Sequence, residues 1–175
     1  AGNIRWIPEA ILNAYLDAVL SLRVRHDDLS GLSIVYTPLN GSGRECVERI
    51  CRALGIRNFT LVSEQAKPDG HFPTCPYPNP EIREAMKLAI EKTIATGADM
   101  CVATDPDCDR IGAGVRQGDT VTLISGNDMG VLLLDYVCSH RKAQKGELPS
   151  VAVKTIVTTE MAVPICKKYL SLIHI

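Results

Sequence analysis

The apolar run Met100-Cys101-Val102-Ala103 passes directly into Thr104-Asp105-Pro106-Asp107-Cys108-Asp109-Arg110. An uninterrupted apolar run of strand length suits a strand buried on both faces of a parallel sheet, because a half-solvated strand alternates instead. In open α/β sheets the loops beyond the carboxyl ends of such strands hold the ligand. Three Asp side chains crowded into one such loop repel one another unless a cation lies among them. Hard divalent ions take oxygen ligands, and Mg2+ in particular works with phosphate groups. Arg110 adds a fixed positive charge that can meet a phosphate or carboxylate with two parallel hydrogen bonds. The loop therefore reads as a Mg2+ site for phosphoryl chemistry, against the plainer reading of a solvated Asp/Pro turn. A calcium EF-hand loop also opens Asp-x-Asp-x-Asp, but its sixth and twelfth positions need Gly and Glu, and here they hold Arg110 and Arg116.

Strand and helix signals alternate along the rest of the chain. Residues 6–24 carry Ile7, Ile11, Tyr15, Leu16, Val19 and Leu22 at helical spacing, with Pro8 suited to a first turn. A β-branched strand over 32–36 ends in the turn-rich Thr37-Pro38-Leu39-Asn40-Gly41-Ser42-Gly43, which opens a helix over 44–54 closed by Gly55. A strand over 59–62 leads into a long Pro-rich loop, then a helix over 81–96 with Ile82, Ala85, Met86, Ala89, Ile90 and Ile94 on one face, closed by Gly97. After the acidic loop, residues 111–115 and 120–124 read as a hairpin, followed by a helix over 128–139, a polar stretch, a strand over 151–157 and a helix over 160–169. This alternation predicts a three-layer α/β/α domain with a mixed, mainly parallel sheet, followed by a partial second α/β unit. The polar stretch near residue 146 is the expected boundary, since the residues beyond it are too few for a core of their own.

Composition removes some functions. Lys+Arg 19 against Asp+Glu 20 gives a net charge of -1, so no basic excess points to nucleic acid. The stretches free of charged residues, such as 29–43, are interrupted by Pro and Gly and fall short of the roughly 18 apolar residues of a membrane span. None of the seven cysteines forms a Cys-x-x-Cys pair, so they read as reduced structural thiols of a cytoplasmic protein. A chain that begins Ala1-Gly2-Asn3 lacks an initiator Met, which leads us to expect a piece of a longer polypeptide.

The loop TDPDCDRIG resembles the metal-binding signature of the α-D-phosphohexomutases, the phosphoglucomutase and phosphomannomutase family. Four further segments agree with that family in order: TPLNGSGRECV, VSEQAKPDGHFPTCPYPNPE, GNDMGVLLLDYV and VKTIVTTEMA. The resemblance runs from about residue 4 to residue 169 and implies a four-domain mutase of which this chain holds the second domain. Residues 1–28 would then be a connecting helix from a missing upstream domain, 29–145 domain II, and 146–175 the truncated start of domain III. The family interconverts hexose 1-phosphate and 6-phosphate through a phosphoserine and a sugar bisphosphate intermediate. By resemblance Asp105, Asp107 and Asp109 hold the Mg2+, and Arg110 faces the phosphoserine or the sugar phosphate. Lys154 matches a family lysine implicated in substrate binding or proton transfer. The implied partners are a phosphorylated sugar and the missing domains of the same polypeptide, with no nucleic acid and no membrane.

Departures from the family pattern set expectations too. The phosphoserine motif, the sugar-specificity loop and the terminal phosphate loop are absent from this sequence, so these residues alone should not turn over sugar phosphates. The segment 170–175 is unlike the family continuation, and His174 is not read as catalytic. Gly41-Ser42-Gly43 could offer N–H groups to a phosphate but reads better as a strand-to-helix turn. Gly126-Asn127-Asp128 reads as a helix cap, and His71 as ordinary loop chemistry. Two rivals remain. One is an aspartate-nucleophile phosphatase with Asp105 attacking and Asp107 as general acid; the other is a non-catalytic metal-binding or interaction domain.

Overall fold

In the computed structural model, which describes residues 2–141, 151–169 and 172–174, the alternating signals of the sequence resolve into two units, Ala1–Thr122 and Leu123–Ile175. The domain boundary expected near residue 146 lies outside the described residues, as do residues 170, 171 and 175 of the atypical C-terminal segment.

The first unit is organised around β1 (Ser33–Thr37), in which Val35, Tyr36 and Thr37 are wholly buried. Its neighbours are β2 (Asn58–Leu61) and β3 (Met100–Thr104), both parallel to it. The antiparallel β4 (Ile111–Gln117) and then β5 (Thr120–Ile124) complete the order β2-β1-β3-β4-β5. The sheet is thus mixed with an antiparallel edge, and helices flank it in the expected α/β/α arrangement. The apolar run that opens the acidic loop buries one face completely, at Cys101 and Ala103, while Met100 and Val102 on the other face are half-buried rather than enclosed on both sides as expected. The hairpin closes through only two residues, Gly118 and Asp119, because β4 continues through Arg116 and Gln117, which the sequence placed in the turn. The Arg116 guanidinium donates to the carbonyls of Ala98 (2.7 Å) and Gly97 (3.0 Å), which holds those extra residues against the start of β3.

Helix α3 (Arg83–Thr96) packs across β1, β3 and β4. Ala85, Met86, Ala89 and Ile90 are buried as their spacing predicts, and Met86 alone contributes about 2 kcal/mol of burial. Ile82 and Ile94 are not buried: Ile82 is the extended N-cap residue, and Thr93 takes the inward position next to Ile94. Thr93 can do so because its hydroxyl donates to the Ala89 carbonyl at 2.7 Å. Gly97, with φ 68, caps the helix in the left-handed conformation.

Helices α1 (Glu9–Ser21) and α2 (Arg44–Ala53) touch each other, in part through an Arg49–Glu9 ion pair. Here the structure corrects the sequence twice. Helix α1 is shorter than expected, with Pro8 as its extended N-cap residue rather than inside the first turn. Of its six apolar positions only Leu16 is buried, while Ile7, Ile11, Tyr15 and Leu22 are exposed. Periodicity reports that a helix has an apolar face but not which surface covers it.

In the second unit, β6 (Val151–Val153) pairs in parallel with β7 (Leu172–His174), and α4 (Gly126–Arg141) packs on α5 (Ala162–Lys168). The strand expected over 151–157 stops at Val153. Beyond it the Thr158 N–H donates to the Thr155 carbonyl at 3.1 Å, closing a turn that leaves Ile156 and Val157 exposed. The helix α4 begins at Gly126 and its cap is Ser125, one residue before the segment read as the cap. Ser125 Oγ accepts from the Asp128 N–H (3.1 Å) and donates to the Asp128 carboxylate (2.7 Å). This Ser-x-x-Asp pairing is a capping-box variant that was legible in the sequence and was missed.

Candidate metal centre

Residue Thr37 of β1 lies opposite Ala103 of β3, so the loops that follow these parallel strands leave the sheet side by side. The first loop is compact because Leu39 and Asn40 both take left-handed backbone angles, φ 49 and 59, and both are buried. Its Gly41 N–H donates to the Pro38 carbonyl at 2.8 Å. Ser42 then joins it to the acidic loop, with its N–H (2.9 Å) and its hydroxyl (3.0 Å) both donating to the Pro106 carbonyl. Gly41 is packed so tightly there that a β-carbon built on it would lie 2.3 Å from the Pro106 Cα. The N–H groups of Gly41 and Ser42 are therefore already bonded within the protein, in keeping with a structural turn.

A third loop, after β2, is tied into the same place. The buried Thr37 hydroxyl donates to Gln65 Oε1 at 2.7 Å and accepts from the Leu39 N–H at 3.1 Å. Asn40 N donates to the Gln65 carbonyl and Asn40 Nδ2 to the Lys67 carbonyl, each at 2.9 Å. None of these partners was identified from sequence, because they sit in a loop whose composition signals only irregularity. His71 lies in that loop as plain turn chemistry, its N–H donating to Asp69 Oδ1 at 2.9 Å.

Asp105, Asp107 and Asp109 each place a carboxylate oxygen within 4.8 Å of the other two. On an extended strand positions two apart share a face but lie about 6.6 Å from one another, and Asp105 and Asp109 about 13 Å apart, so a turn is needed to gather all three. The turn is closed by the Cys108 N–H donating to the Asp105 carbonyl at 3.1 Å, with Cys108 in the left-handed region at φ 65. Asp105 is buried, 8% exposed, and its Oδ1 accepts from the Arg110 N–H at 3.0 Å, while Asp107 and Asp109 are exposed. The Arg110 guanidinium Nε lies 3.8 Å from both Asp105 Oδ2 and Asp109 Oδ1.

The electrostatics of the cluster follow from this crowding. Burial pushes the Asp105 carboxyl up, but the Arg110 N–H, hydrogen bonds from Asp109 and Asp107, and the Arg110 charge together hold it below the usual carboxylate range. The Asp109 carboxyl is pushed up, first by its hydrogen bond to Asp105 and then by the charges of Asp107 and Asp105. Opposite shifts on two neighbours are what carboxylates do when they share one proton. A divalent cation would relieve the same repulsion without a proton. Three hard oxygen donors converging beside an Arg fit Mg2+ better than a soft-ligand metal.

Lys154 belongs to the second unit. Its side chain is 5% exposed, and its Nζ donates to Glu160 Oε1 at 2.8 Å, with the Thr158 carbonyl at 3.5 Å. Lys154 directly follows the end of β6 and is buried. Asn127, read as part of a cap, accepts instead from the Thr159 N–H at 2.9 Å.

Residues 13–118 match the sequence profile described as phosphoglucomutase/phosphomannomutase, alpha/beta/alpha domain II. A phosphoglucomutase of Staphylococcus saprophyticus is 33% identical over 92% of this chain and 29% of its own length. A phosphomannomutase of Mycoplasmoides pirum is 30% identical over 95% of this chain and 30% of its own length. Among solved structures, a phosphoglucomutase/phosphomannomutase family protein from Burkholderia thailandensis superposes with a TM-score of 0.71 at 22% identity, over 93% of this chain and 32% of that one. An Aspergillus fumigatus N-acetylphosphoglucosamine mutase in complex with glucose 1,6-bisphosphate gives a TM-score of 0.54 at 18% identity, over 93% of this chain and 30% of that one. This chain thus spans about 28% to 30% of the length of the curated relatives it matches.

Proposed function

This chain belongs to the phosphoglucomutase/phosphomannomutase family, and on that footing we propose that it carries the Mg2+-binding loop of a sugar-phosphate mutase. The reaction is the interconversion of a hexose 1-phosphate and 6-phosphate through a phosphoserine and a sugar bisphosphate. The observation that carries this reading is the convergence of three carboxylates within 4.8 Å at the carboxyl end of β3. The relatives are named as phosphoglucomutase and phosphomannomutase, and one solved neighbour is a complex with glucose 1,6-bisphosphate.

In this reading Asp105, Asp107 and Asp109 hold the Mg2+. When bound, the ion offsets negative charge on the transferring phosphoryl group and the leaving oxygen. Asp105 is the fixed member, oriented by the Arg110 N–H, while exposed Asp107 and Asp109 face whatever approaches the loop. Arg110, 57% exposed at its side chain, extends a guanidinium toward a phosphate while its Nε stays near two carboxylates. Lys154, held by Glu160, is assigned to substrate binding or proton transfer. The phosphoserine, the sugar-specificity loop and the substrate phosphate loop are assigned to other domains of the same polypeptide. We divide the chain into a connecting segment at 1–28, domain II at 29–145 and the opening of domain III at 146–175. A cytoplasmic setting suits its seven free thiols.

The rival phosphatase needs Asp105 to attack a substrate, and a carboxylate that is 8% exposed and bonded to a backbone N–H is poorly placed for that. The test is calorimetric titration of the chain with Mg2+ and Mn2+. Binding is expected in the wild type and its loss in the Asp107→Asn/Asp109→Asn double variant. Unchanged binding in that variant would reduce the loop to a turn. Turnover of glucose 1-phosphate by these 175 residues alone would overturn the assignment of the phosphoryl carrier to another domain.

A further inference from the structure

We propose that Cys46 and Cys108 form a two-thiol oxidation site through which a hydroperoxide disables the aspartate loop. The thiol chemistry stands on its own; its consequence for metal binding rests on the reading above. Cys108 lies between Asp107 and Asp109, and although the residue is exposed its sulfur turns inward onto the start of α2. A β-carbon built on Gly43 would lie 2.3 Å from Cys108 Sγ, 2.7 Å from the Tyr36 hydroxyl and 2.8 Å from Thr104 Oγ1. Only a glycine at position 43 leaves room for this sulfur. Cys46 sits three residues further on, on the same face of α2 as Gly43, and helical side chains lean back toward the N-terminus. Cys46 is thus a helical neighbour of the position that the Cys108 sulfur faces.

The electrostatic environment agrees with that placement. Burial raises the Cys46 thiol, and Glu45 and then the Cys108 sulfur push it in the same direction. The Tyr36 hydroxyl, pushed up to about 12 chiefly by burial, also senses Cys108, Cys51 and Cys46. Cys108 is the exposed residue of the pair, on a surface loop, and Cys46 the half-buried one on a helix, which assigns the first as the attacking and the second as the resolving thiol.

The chemistry balances in two steps. The Cys108 sulfur attacks the peroxide, the O–O bond breaks, and the thiol proton leaves with the alkoxide as an alcohol, or as water from hydrogen peroxide. The sulfur is oxidised by two electrons to a sulfenic acid. Cys46 then attacks that sulfur, the S–O bond breaks, and hydroxide leaves with the Cys46 proton as water while the S–S bond forms. Cys108 sits in a left-handed turn closed onto Asp105, so a bond from its sulfur to α2 would tie the backbone between Asp107 and Asp109 to that helix and restrict how the two carboxylates can adjust to an ion.

The test treats the 175-residue chain with equimolar hydrogen peroxide, maps the peptides without reduction and titrates Mn2+ before and after. A Cys46–Cys108 linked peptide is expected, with Mn2+ affinity lowered about 10-fold or more and restored by a phosphine reductant. Cys46→Ser should give no link but a dimedone adduct at Cys108, and Cys108→Ala should make Mn2+ binding indifferent to peroxide. A Cys51–Cys108 link, no link to Cys108 at all, or unchanged Mn2+ affinity in fully linked protein would each overturn the proposal. A reduced chain that binds no Mn2+ would overturn the metal reading and the coupling with it, while the linked peptide still reports on the thiol pair.

Discussion

Replacing Gly41 by Ala tests the join between the two loops that make the site. The new β-carbon would lie 2.3 Å from Pro106 Cα, 2.6 Å from its carbonyl oxygen and 2.8 Å from its carbonyl carbon. Carbon atoms pack comfortably at about 3.5–4.0 Å, so one loop must retreat by more than about 1 Å. All three obstructing atoms are backbone, and no rotamer change relieves the clash. Overpacking of this kind costs about 1–3 kcal/mol. The retreat also stretches the two Ser42 hydrogen bonds to the Pro106 carbonyl, worth about 1 kcal/mol each. If both hydrogen bonds are lost, the total is about 3–5 kcal/mol, a large share of the roughly 5–15 kcal/mol by which domains are stable. Urea unfolding followed by far-UV circular dichroism measures it; Trp6, 99% exposed, is a poor fluorescent reporter. Gly70→Ala is the matched control, since nothing lies within 4 Å of a β-carbon there. It should be neutral or slightly stabilising through the unfolded chain. Because Pro106 carries Asp105 and Asp107 on either side, Mn2+ affinity of Gly41→Ala should also fall, by about 10-fold or more. Stability of Gly41→Ala within about 0.5 kcal/mol of the control, with unchanged Mn2+ affinity, would falsify the proposed join.

Two further outcomes follow from the hydrogen bonding around the sheet. Thr37→Val keeps the shape of a fully buried side chain but leaves Gln65 Oε1 without its 2.7 Å donor, so unfolding should become easier by about 1–3 kcal/mol in denaturant titration. Asp99 Oδ2 accepts from the Ser33 hydroxyl (2.7 Å) and N–H (2.8 Å), which lower its carboxyl pKa in that order. A lowered folded-state pKa gives stability that is present above the unfolded value near 4 and is lost as pH falls through the folded value. Wild type should therefore exceed Asp99→Asn by less than about 1 kcal/mol at neutral pH, the side chain being exposed, and the gap should close in acid. A gap that widens in acid would contradict that sign.

The sequence was most informative where a physical cause acts locally. The buried strand Met100–Thr104, the closure of α3 at Gly97 and the hairpin each follow from periodicity or turn chemistry within a few residues. The acidic loop was legible for the same reason, since its three carboxylates are neighbours in the chain. Errors fell where a distant surface decides. The apolar positions of α1 are correctly spaced yet exposed, and the strand expected over 151–157 ends where the buried Lys154 turns toward Glu160.

The sequence by itself determined that this is an α/β chain with a carboxylate loop at the end of a buried strand, because period and composition are enough to specify both. Only the tertiary structure decided what braces that loop. The order β2-β1-β3 sets the Gly41 loop beside Pro106, Gly43 beneath Cys108 and the Tyr36 hydroxyl 2.8 Å from Thr104 Oγ1, residues more than 60 positions apart. No local periodicity encodes such contacts. They arise when parallel pairing aligns two strand ends and the space left between their loops admits only a glycine.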